Sequence, residues 1–499
     1  VQKIGARLAK DAISASLDGK MVDLTHQVEK NAAFKVFTFS SNEGKETYWH
    51  STSHLMAYAI QELFPSAKIT IGPAIEEGFF YDIDFERTFN EEDLKKIEDK
   101  MRELAKSDFP VKRIEMKRED AIKYFEKQKN PYKVEILSEL EDQTVSLYEE
   151  GNFTDLCTGP HVISTGKIGA IKLLRVSGAY WRGDAKNKQL QRIYGISFPS
   201  QKEMDEHLKL IEEREARDHR KIAKEMKIYT FNEDVGMGLP LWMPNGEKLF
   251  HTLMEYMRSE EQKAGYEYVR TPHIAKEKVY QKTGHIPYYK DTMYAPIDIE
   301  GENYYLKPMN CPHHHAIFSE LVHSYKQLPL ILAEAGNVYR FELSGVMYGI
   351  IRARGFTQND SHHHVTLGQM EDAVVRALEL NIRVYEKLGM KNYWFRLSLP
   401  DFEGHPEKYS GDRERWEMAA EALRKAAKRL GREYVETKDE AAFYGPKIDI
   451  QAKNIRGKED SVATVQIDIM VPKRLGLSYT DEHDKPAIPV VLHCAILGS

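Results

Sequence analysis

Cysteine is scarce. Three in 499 residues are too few and too scattered for a disulfide framework, which makes a reducing, cytoplasmic compartment the expectation. No apolar run approaches the roughly 20 residues of a membrane span, and the N-terminus lacks a signal-peptide pattern, so no membrane association is expected. Internal repeats and low-complexity stretches are missing. Neither Gly-x-Gly-x-x-Gly nor a Walker-type loop occurs, so a nucleotide site here needs other machinery. A basic excess is missing too: the net charge is -6, and an RNA partner would have to rest on a local basic surface. The chain starts at Val1 rather than Met. It stops after Leu497-Gly498-Ser499, directly behind the apolar run Ile488-Pro489-Val490-Val491-Leu492. Termini normally lie in exposed segments, so truncation at both ends is expected.

What is present is an ordinary globular composition, 41% hydrophobic and 30% charged, with length for about three domains of roughly 150 residues. Residues 1–40 carry a turn at Asp18-Gly19-Lys20 between short apolar stretches and read as the end of a small α+β module. Residues 41–200 mix strands and helices. One helix is expected from Glu91 to Lys106, with Leu94, Ile97, Met101 and Leu104 on one face and Asn90 as its cap. Residues 201–228 are densely charged with sparse apolar positions, as in an exposed linker helix. Residues 229–499 alternate long helices with strands such as Tyr393–Leu397 and Val465–Ile469. The latter alternates apolar and polar residues as a half-buried antiparallel strand does. The fold class is α+β.

Two of the three cysteines sit in Cys/His constellations. His50 and His54, at i and i+4, share one face of a helix expected to begin at His50. Cys157 and His161 are also four apart, in a loop rich in Gly and Pro. Either pair alone is unremarkable; together they make a passable four-ligand zinc site. Cys311 lies in Met309-Asn310-Cys311-Pro312-His313-His314-His315, upstream of His362 and His493. Two reactive centres are expected.

The stretch Arg340-Phe341-Glu342-Leu343-Ser344-Gly345, followed by Gly349 to Asp360, resembles motif 2 of a class II aminoacyl-tRNA synthetase, two antiparallel strands joined by a loop over ATP. Pro240 to Pro272 resembles motif 1, the dimer-forming helix and strand. With Met309-Asn310-Cys311-Pro312 and Phe443-Tyr444-Gly445-Pro446-Lys447, the chain is similar to the threonyl-tRNA synthetase family over essentially its whole length. The resemblance implies a catalytic domain built on an antiparallel sheet over 229–499, an editing domain over 41–200, and a TGS-like remnant over 1–40. The anticodon-binding domain and the motif 3 arginine would fall beyond Ser499, so the chain as written is expected to bind threonine better than it activates it.

The same resemblance implies the chemistry. Arg340, Arg352 and Lys447 would be catalytic. Arg340 would hold the ATP α-phosphate and Arg352 the polyphosphate tail, while Phe356 stacks on adenine and Glu342 accepts from its amine. Mg²⁺ would accompany ATP. Cys311, His362 and His493 would hold one Zn²⁺ with an open position for the amino group and hydroxyl of L-threonine. Valine, lacking the hydroxyl, would be rejected. Gln358, Asp360, Tyr444 and Gln466 would complete the amino-acid pocket. His313, His314, His315, His363 and His364 read as packing residues or hydrogen-bond partners of the ligands, and Cys494 as a small buried residue. Serine lacks only a methyl group, worth roughly 1–3 kcal/mol, so mischarged tRNA(Thr) would need a second, hydrolytic site. There His50, His54, Cys157 and His161 would surround a water without a metal, with Lys133, Tyr148 and Asp155 orienting the adenosine and the seryl group. Partners would be tRNA(Thr), ATP, L-threonine and a second copy in a homodimer. The alternative is a synthetase-derived RNA-binding or regulatory protein without full activity. A zinc hydrolase using only the His50/His54 pair leaves Arg340, Phe356 and Cys311 unexplained.

Overall fold

The computed structural model describes residues 5–184, 186–409, 412–454 and 457–497. The expectations on Val1 and on Gly498-Ser499 therefore lie outside the described residues. The chain divides into two compact units, 1–211 and 212–499, and each is an α+β body.

The first unit opens with a three-stranded antiparallel sheet of β1 (Ala12–Leu17), β2 (Lys20–Val22) and β3 (Phe34–Thr38), in the order β2-β1-β3. The β1–β2 turn is the expected one. Leu17 pairs with Lys20, and Asp18 and Gly19 adopt φ of 48° and 82°, as a two-residue hairpin requires.

Helix α1 (Asn42–Leu63) follows. It begins at Asn42, not at His50 as the apolar pattern suggested. The Ser41 hydroxyl accepts from Gly44 N at 3.1 Å, and this cap nucleates a polar first turn that hydrophobic periodicity does not register. Leu55, Met56 and Ile60 of α1 pack against a five-stranded sheet and against α2 (Glu91–Lys106). In that sheet β4 (Lys68–Ile69) and β5 (Ala74–Ile75) pair with β6 (Gly78–Asp84), and β10 (Ala170–Tyr180) and β11 (Gln189–Phe198) continue it on the other side of β6. Helix α2 has the expected bounds. Asn90 accepts from Asp93 N at 2.9 Å, and Asp93 accepts from Asn90 N at 3.1 Å. Ile97, Met101 and Leu104 are buried and Leu94 is half-buried. A second, three-stranded sheet of β7 (Val111–Lys117), β8 (Thr144–Glu150) and β9 (Phe153–Leu156) carries α3 (Arg118–Lys127) and α4 (Pro131–Glu139) between its first two strands.

The charged segment 201–228 holds two helices rather than one, α5 (Gln201–Ala216) and α6 (His219–Met226). Asp218 ends the continuity by capping α6: its carboxylate accepts from Arg220 N at 2.8 Å, the local bond that makes Asp a helix starter rather than a helix interior residue.

The second unit contains α7 (Pro244–Lys263), α8 (Cys311–Leu321), α9 (Met370–Lys387) and α10 (Arg413–Arg429) around an eight-stranded sheet. Its strands are β12 (Glu267–Tyr268), β13 (Leu330–Tyr339), β14 (Gly355–Val365), β15 (Tyr393–Leu399), β16 (Tyr434–Lys438), β17 (Lys447–Lys453), β18 (Glu459–Asp468) and β19 (Val490–Ala495). In space they run β12-β13-β14-β19-β18-β17-β15-β16. The five pairings from β13 to β15 are all antiparallel. Leu378 and Val384 of α9 and Leu423 of α10 bury one face of this sheet against Phe395, Leu397, Ile448, Ile450, Val465, Ile467 and Leu492. Each such side chain contributes about 1.5–3 kcal/mol of burial, so this face anchors the sheet and frees the opposite face for polar residues.

No helix among the described residues is long and apolar enough to cross a membrane. For the cap of α2, Asn90→Ala is expected to cost about 1 kcal/mol, seen as a lower urea midpoint for unfolding, whereas Asn90→Ser leaves the midpoint nearly unchanged.

Candidate functional site

Strand register assembles the first centre. Across β14, β19, β18 and β17, His362 pairs with His493, His493 with Gln466, and Gln466 with Lys447. The adjacent row is Asp360, Ala495 and Thr464. Because side chains alternate at every residue, these rows share the face away from α9 and α10. Cys311, at the start of α8, closes over them. Its sulfur and one ring nitrogen each of His362 and His493 lie within 4.8 Å of one another.

A small cavity of about 140 Å³ opens here, lined among others by Cys311, Arg340, Gln358, Asp360, Tyr444 and Gln466. Asp360 accepts from Asn310 Nδ2 at 2.9 Å, and the Tyr444 hydroxyl donates to Gln466 Oε1. Arg340 lies with its guanidinium 5.1 Å from the centre of the Phe356 ring. Burial pulls Arg340 below its ordinary pKa and pushes Asp360 above its own, so each is a charge held short of counter-ions.

Four expected residues, Glu342, Arg352, Phe356 and Lys447, do not line this cavity. Arg352 is exposed and pairs with Glu342 at 2.9 Å, so these two engage each other. Lys447 lies one strand beyond Gln466 and pairs with Asp449 at 3.3 Å.

The flanking histidines have distinct places. His314 Nδ1 is 2.8 Å from His362 Nδ1, and its Nε2 is 3.3 Å from Glu334. His493 Nε2 is 3.0 Å from Asp468. The His314 contact engages one nitrogen of His362 and the Asp468 contact one nitrogen of His493, so each prospective ligand ring keeps a second nitrogen. Burial holds the Cys311 thiol well above its usual range, so a thiolate there requires a cation beside it. The donor set therefore fits zinc. His315, Asp468 and His493 form an overlapping group that also meets the spacing for a metal. His363 packs edge-on against Tyr266, and His315 contacts His364 at 3.1 Å. Cys494 is 3% exposed within the core.

The second centre lies in the first unit. His50 and His54 of α1 meet Cys157 and His161 from the loop after β9. Cys157 Sγ is 2.9 Å from His50 Nε2 and 3.2 Å from His161 Nε2, and Gly159 N donates to it at 3.3 Å. All four ligand atoms lie within 4.8 Å, a spacing that also suits a metal. Burial lowers the pKa of His50, His54 and His161 and pushes the Cys157 thiol up to about 12. At neutral pH the cluster holds neutral imidazoles and a protonated thiol.

Beside it, Asp155 accepts from Lys133 Nζ at 2.6 Å and lies 3.9 Å from His54 Nδ1. Both members of the Lys133–Asp155 pair are nearly inaccessible, so removing either leaves a bare buried charge, at a cost of about 3–5 kcal/mol. A cavity of about 490 Å³ runs along His50, His54, Tyr81, Lys133, Asp155 and Cys157. Tyr148 and His161 stand behind the cavity wall, ring to ring at 4.3 Å.

Sequence reasoning missed two neighbours. Tyr81 donates to Asp155 Oδ2 at 2.7 Å. It alternates with Phe79 and Ile83 on β6, all three at 0% exposure, so its pattern reads as core packing. His285 lies buried with Nδ1 2.8 Å from Thr283 Oγ1 and Nε2 3.6 Å from Cys311 Sγ; no local pattern marks it.

Residues 294–499 match the tRNA synthetase class II core domain (G, H, P, S and T). Residues 145–194 match the threonyl and alanyl tRNA synthetase second additional domain. The threonine–tRNA ligase of Chlorobium chlorochromatii is 47% identical over 504 residues, which is 99% of this chain and 77% of the relative. That of Chlorobaculum tepidum is 47% identical over 506 residues, 100% of this chain and 77% of the relative. The chain belongs to the threonine–tRNA ligase family.

A solved structure, the RNA binding domain of threonyl-tRNA synthetase from Cryptosporidium parvum, is similar at a TM-score of 0.53 and 35% identity, covering 57% of this chain and 70% of that one. The class II core match includes β13 from its N-terminal end to β19, and thus all the strands that carry the first cavity. The second match spans β8 to the middle of β11, with Asp155, Cys157 and His161 inside it.

Gly159 offers a test of the second centre. It has φ +72°, and a Cβ there would lie 1.9 Å from the Tyr148 hydroxyl; Gly183 has the same φ and nothing within 4 Å. Gly159→Ala is expected to destabilise by about 1–3 kcal/mol more than Gly183→Ala, read as the difference between their thermal midpoints.

Proposed function

We propose that the two cavities serve the two halves of one task, attachment of threonine to tRNA and removal of serine attached in error. The chain is an aminoacyl-tRNA synthetase of the threonine class, with ATP, the amino acid and tRNA as substrates. The observation that carries the assignment of its first centre is the shared face of Asp360, His362, His493 and Gln466 on three adjacent strands under Cys311.

In the first cavity the Asp360 carboxylate faces the amino group of the amino acid, and the Tyr444–Gln466 pair closes the side-chain end of the pocket. Arg340, half-buried and pulled below its ordinary pKa by desolvation, receives the α-phosphate, where negative charge grows as the carboxylate attacks. Phe356 offers adenine its face. For Glu342 and Arg352, engagement of ATP means exchanging their mutual ion pair for the adenine amine and the polyphosphate. Lys447 is assigned to the same face, at the outer end of the row. Mg²⁺ accompanies the polyphosphate. Cys311, His362 and His493 would hold Zn²⁺, which supplies a Lewis-acidic open position for an amine and a hydroxyl.

In the second cavity we assign the neutral imidazoles of His50 and His54 the role of taking a proton from water, without a metal. Lys133 and Asp155 orient the adenosine and the seryl group. Cys157 and His161 hold His50 in place, and Tyr148 supports His161 from behind.

We assign a TGS-like module to 1–40, the hydrolytic domain to 41–200, a linker to 201–228 and the ligase domain to 229–499. Homodimerisation through α7 is supported by its exposure: only Gly246, Met257 and Glu261 of its 20 residues are buried. Three free cysteines fit a cytoplasmic setting.

Threonine-dependent exchange of pyrophosphate into ATP is expected of the full-length protein, with one zinc per chain by metal analysis, and Cys311→Ala loses both. Absence of exchange in the wild type overturns the ligase reading, and two zinc ions per chain would put a metal in the hydrolytic cavity. Hydrolysis of seryl-tRNA(Thr) is expected to fall by about 10²-fold or more in His50→Ala. Because burial lowers the His50 and His54 pKa, the base stays neutral as pH falls through about 6.5. Hydrolysis is therefore lost only below the ordinary imidazole value, with its midpoint under about 6.5; a midpoint at or above about 6.5 would remove these imidazoles from the rate-limiting proton transfer.

A further inference from the structure

Asp23 lies one residue beyond β2, in the small N-terminal sheet and far from the hydrolytic cluster in sequence. In space it reaches the back of that cluster. One carboxylate oxygen accepts from the Tyr148 hydroxyl at 2.7 Å, and the other accepts from the His161 backbone N–H at 2.7 Å. The partners stand 125 and 138 residues away along the chain, so only the fold brings them together. Both donors are buried: Tyr148 is 2% and His161 1% exposed.

The two bonds act on one object. The Tyr148 ring lies 4.3 Å from the His161 ring, so fixing its hydroxyl fixes the surface against which the imidazole rests. The second bond fixes the His161 backbone itself. His161 in turn holds Cys157 Sγ at 3.2 Å, and Cys157 holds His50 Nε2 at 2.9 Å. A carboxylate serves this purpose better than an amide or a hydroxyl. It has two equivalent acceptor oxygens and no proton of its own, and bonds to a charged acceptor are stronger than neutral ones.

We infer that Asp23 is a positioning residue for the hydrolytic centre: a carboxylate from the N-terminal sheet clamps Tyr148 and the His161 backbone and so sets the aim of His50. The inference deepens the hydrolytic reading and rests on it. It also gives the N-terminal sheet a part in hydrolysis, although that sheet contributes nothing to the wall of the 490 Å³ cavity.

The test uses the full-length protein, with seryl-tRNA(Thr) as substrate for hydrolysis and threonine for aminoacylation. Asp23→Ala is expected to lower kcat for hydrolysis by about 10- to 100-fold, the range a misplacement of about 1 Å produces. The KM for seryl-tRNA and the aminoacylation rate should stay within about twofold. Asp23→Asn, with one acceptor oxygen left, should recover part of the loss. Tyr148→Phe should lose less than Asp23→Ala, and the double variant Asp23→Ala/Tyr148→Phe should lose no more than Asp23→Ala alone, because the phenol acts through the carboxylate.

Wild-type protein that hydrolyses seryl-tRNA, with Asp23→Ala hydrolysing at the same rate, overturns the inference and leaves the hydrolytic reading standing. A raised KM with unchanged kcat, or loss of aminoacylation in parallel, assigns Asp23 a purely structural part and also overturns it. Wild-type protein that does not hydrolyse seryl-tRNA removes both.

Discussion

The register between β14, β19 and β18 governs the second unit. His362, His493 and Gln466 face the same side only because they stand opposite one another on three antiparallel strands. Side chains alternate at every residue, so a one-residue slip of β19 would turn His493 into the apolar face and bring Cys494 toward His362. What resists the slip is the opposite face. Leu492 and Cys494 are packed with Val465, Ile467 and the helices above them, and exposing that face would forfeit several side chains' worth of burial at about 1.5–3 kcal/mol each. The hydrophobic core and the polar site are thus two sides of one constraint. The helices α9 and α10 never touch the small cavity, yet they determine which residues line it.

The two cysteine-centred sites share a chemistry of burial and differ in how charge is handled. Around Cys157 the cluster stays neutral. Three imidazoles have lowered pKa values and the thiol a raised one, and Asp155, on the cavity wall beside them, is balanced by Lys133. Around Cys311, Arg340 and Asp360 are both shifted toward neutrality by burial. The first arrangement suits proton transfer to and from water. The second suits ligands that bring their own charges.

Much of the secondary structure was legible locally. Helix Glu91–Lys106 and its Asn90 cap, the Asp18-Gly19 turn and the strand beginning at Tyr393 follow from periodicity and capping chemistry. The misses have local causes too. Helix α1 starts at a serine cap followed by a polar turn that the apolar pattern ignores, and Asp218 splits a charged segment that read as one helix. The site residues divide the same way. His50/His54 and Cys157/His161 advertise themselves by spacing. Tyr81 hides among Phe79 and Ile83, and His285 has no pattern at all, because their partners come from remote segments.

The sequence by itself determined the residue types and the family. Motif stretches such as Arg340 to Asp360 and Met309-Asn310-Cys311-Pro312 survive as contiguous words, since a loop over a nucleotide or a helix start is a local object. Tertiary structure alone decided who meets whom. Nothing in the order of residues places Asp23 against Tyr148 and His161, aligns His493 with His362, or sets Arg352 against Glu342 while Arg340 turns to Phe356. Those pairings depend on strand register and on packing between distant segments, and both are fixed by the global burial of apolar surface rather than by any local preference of the chain.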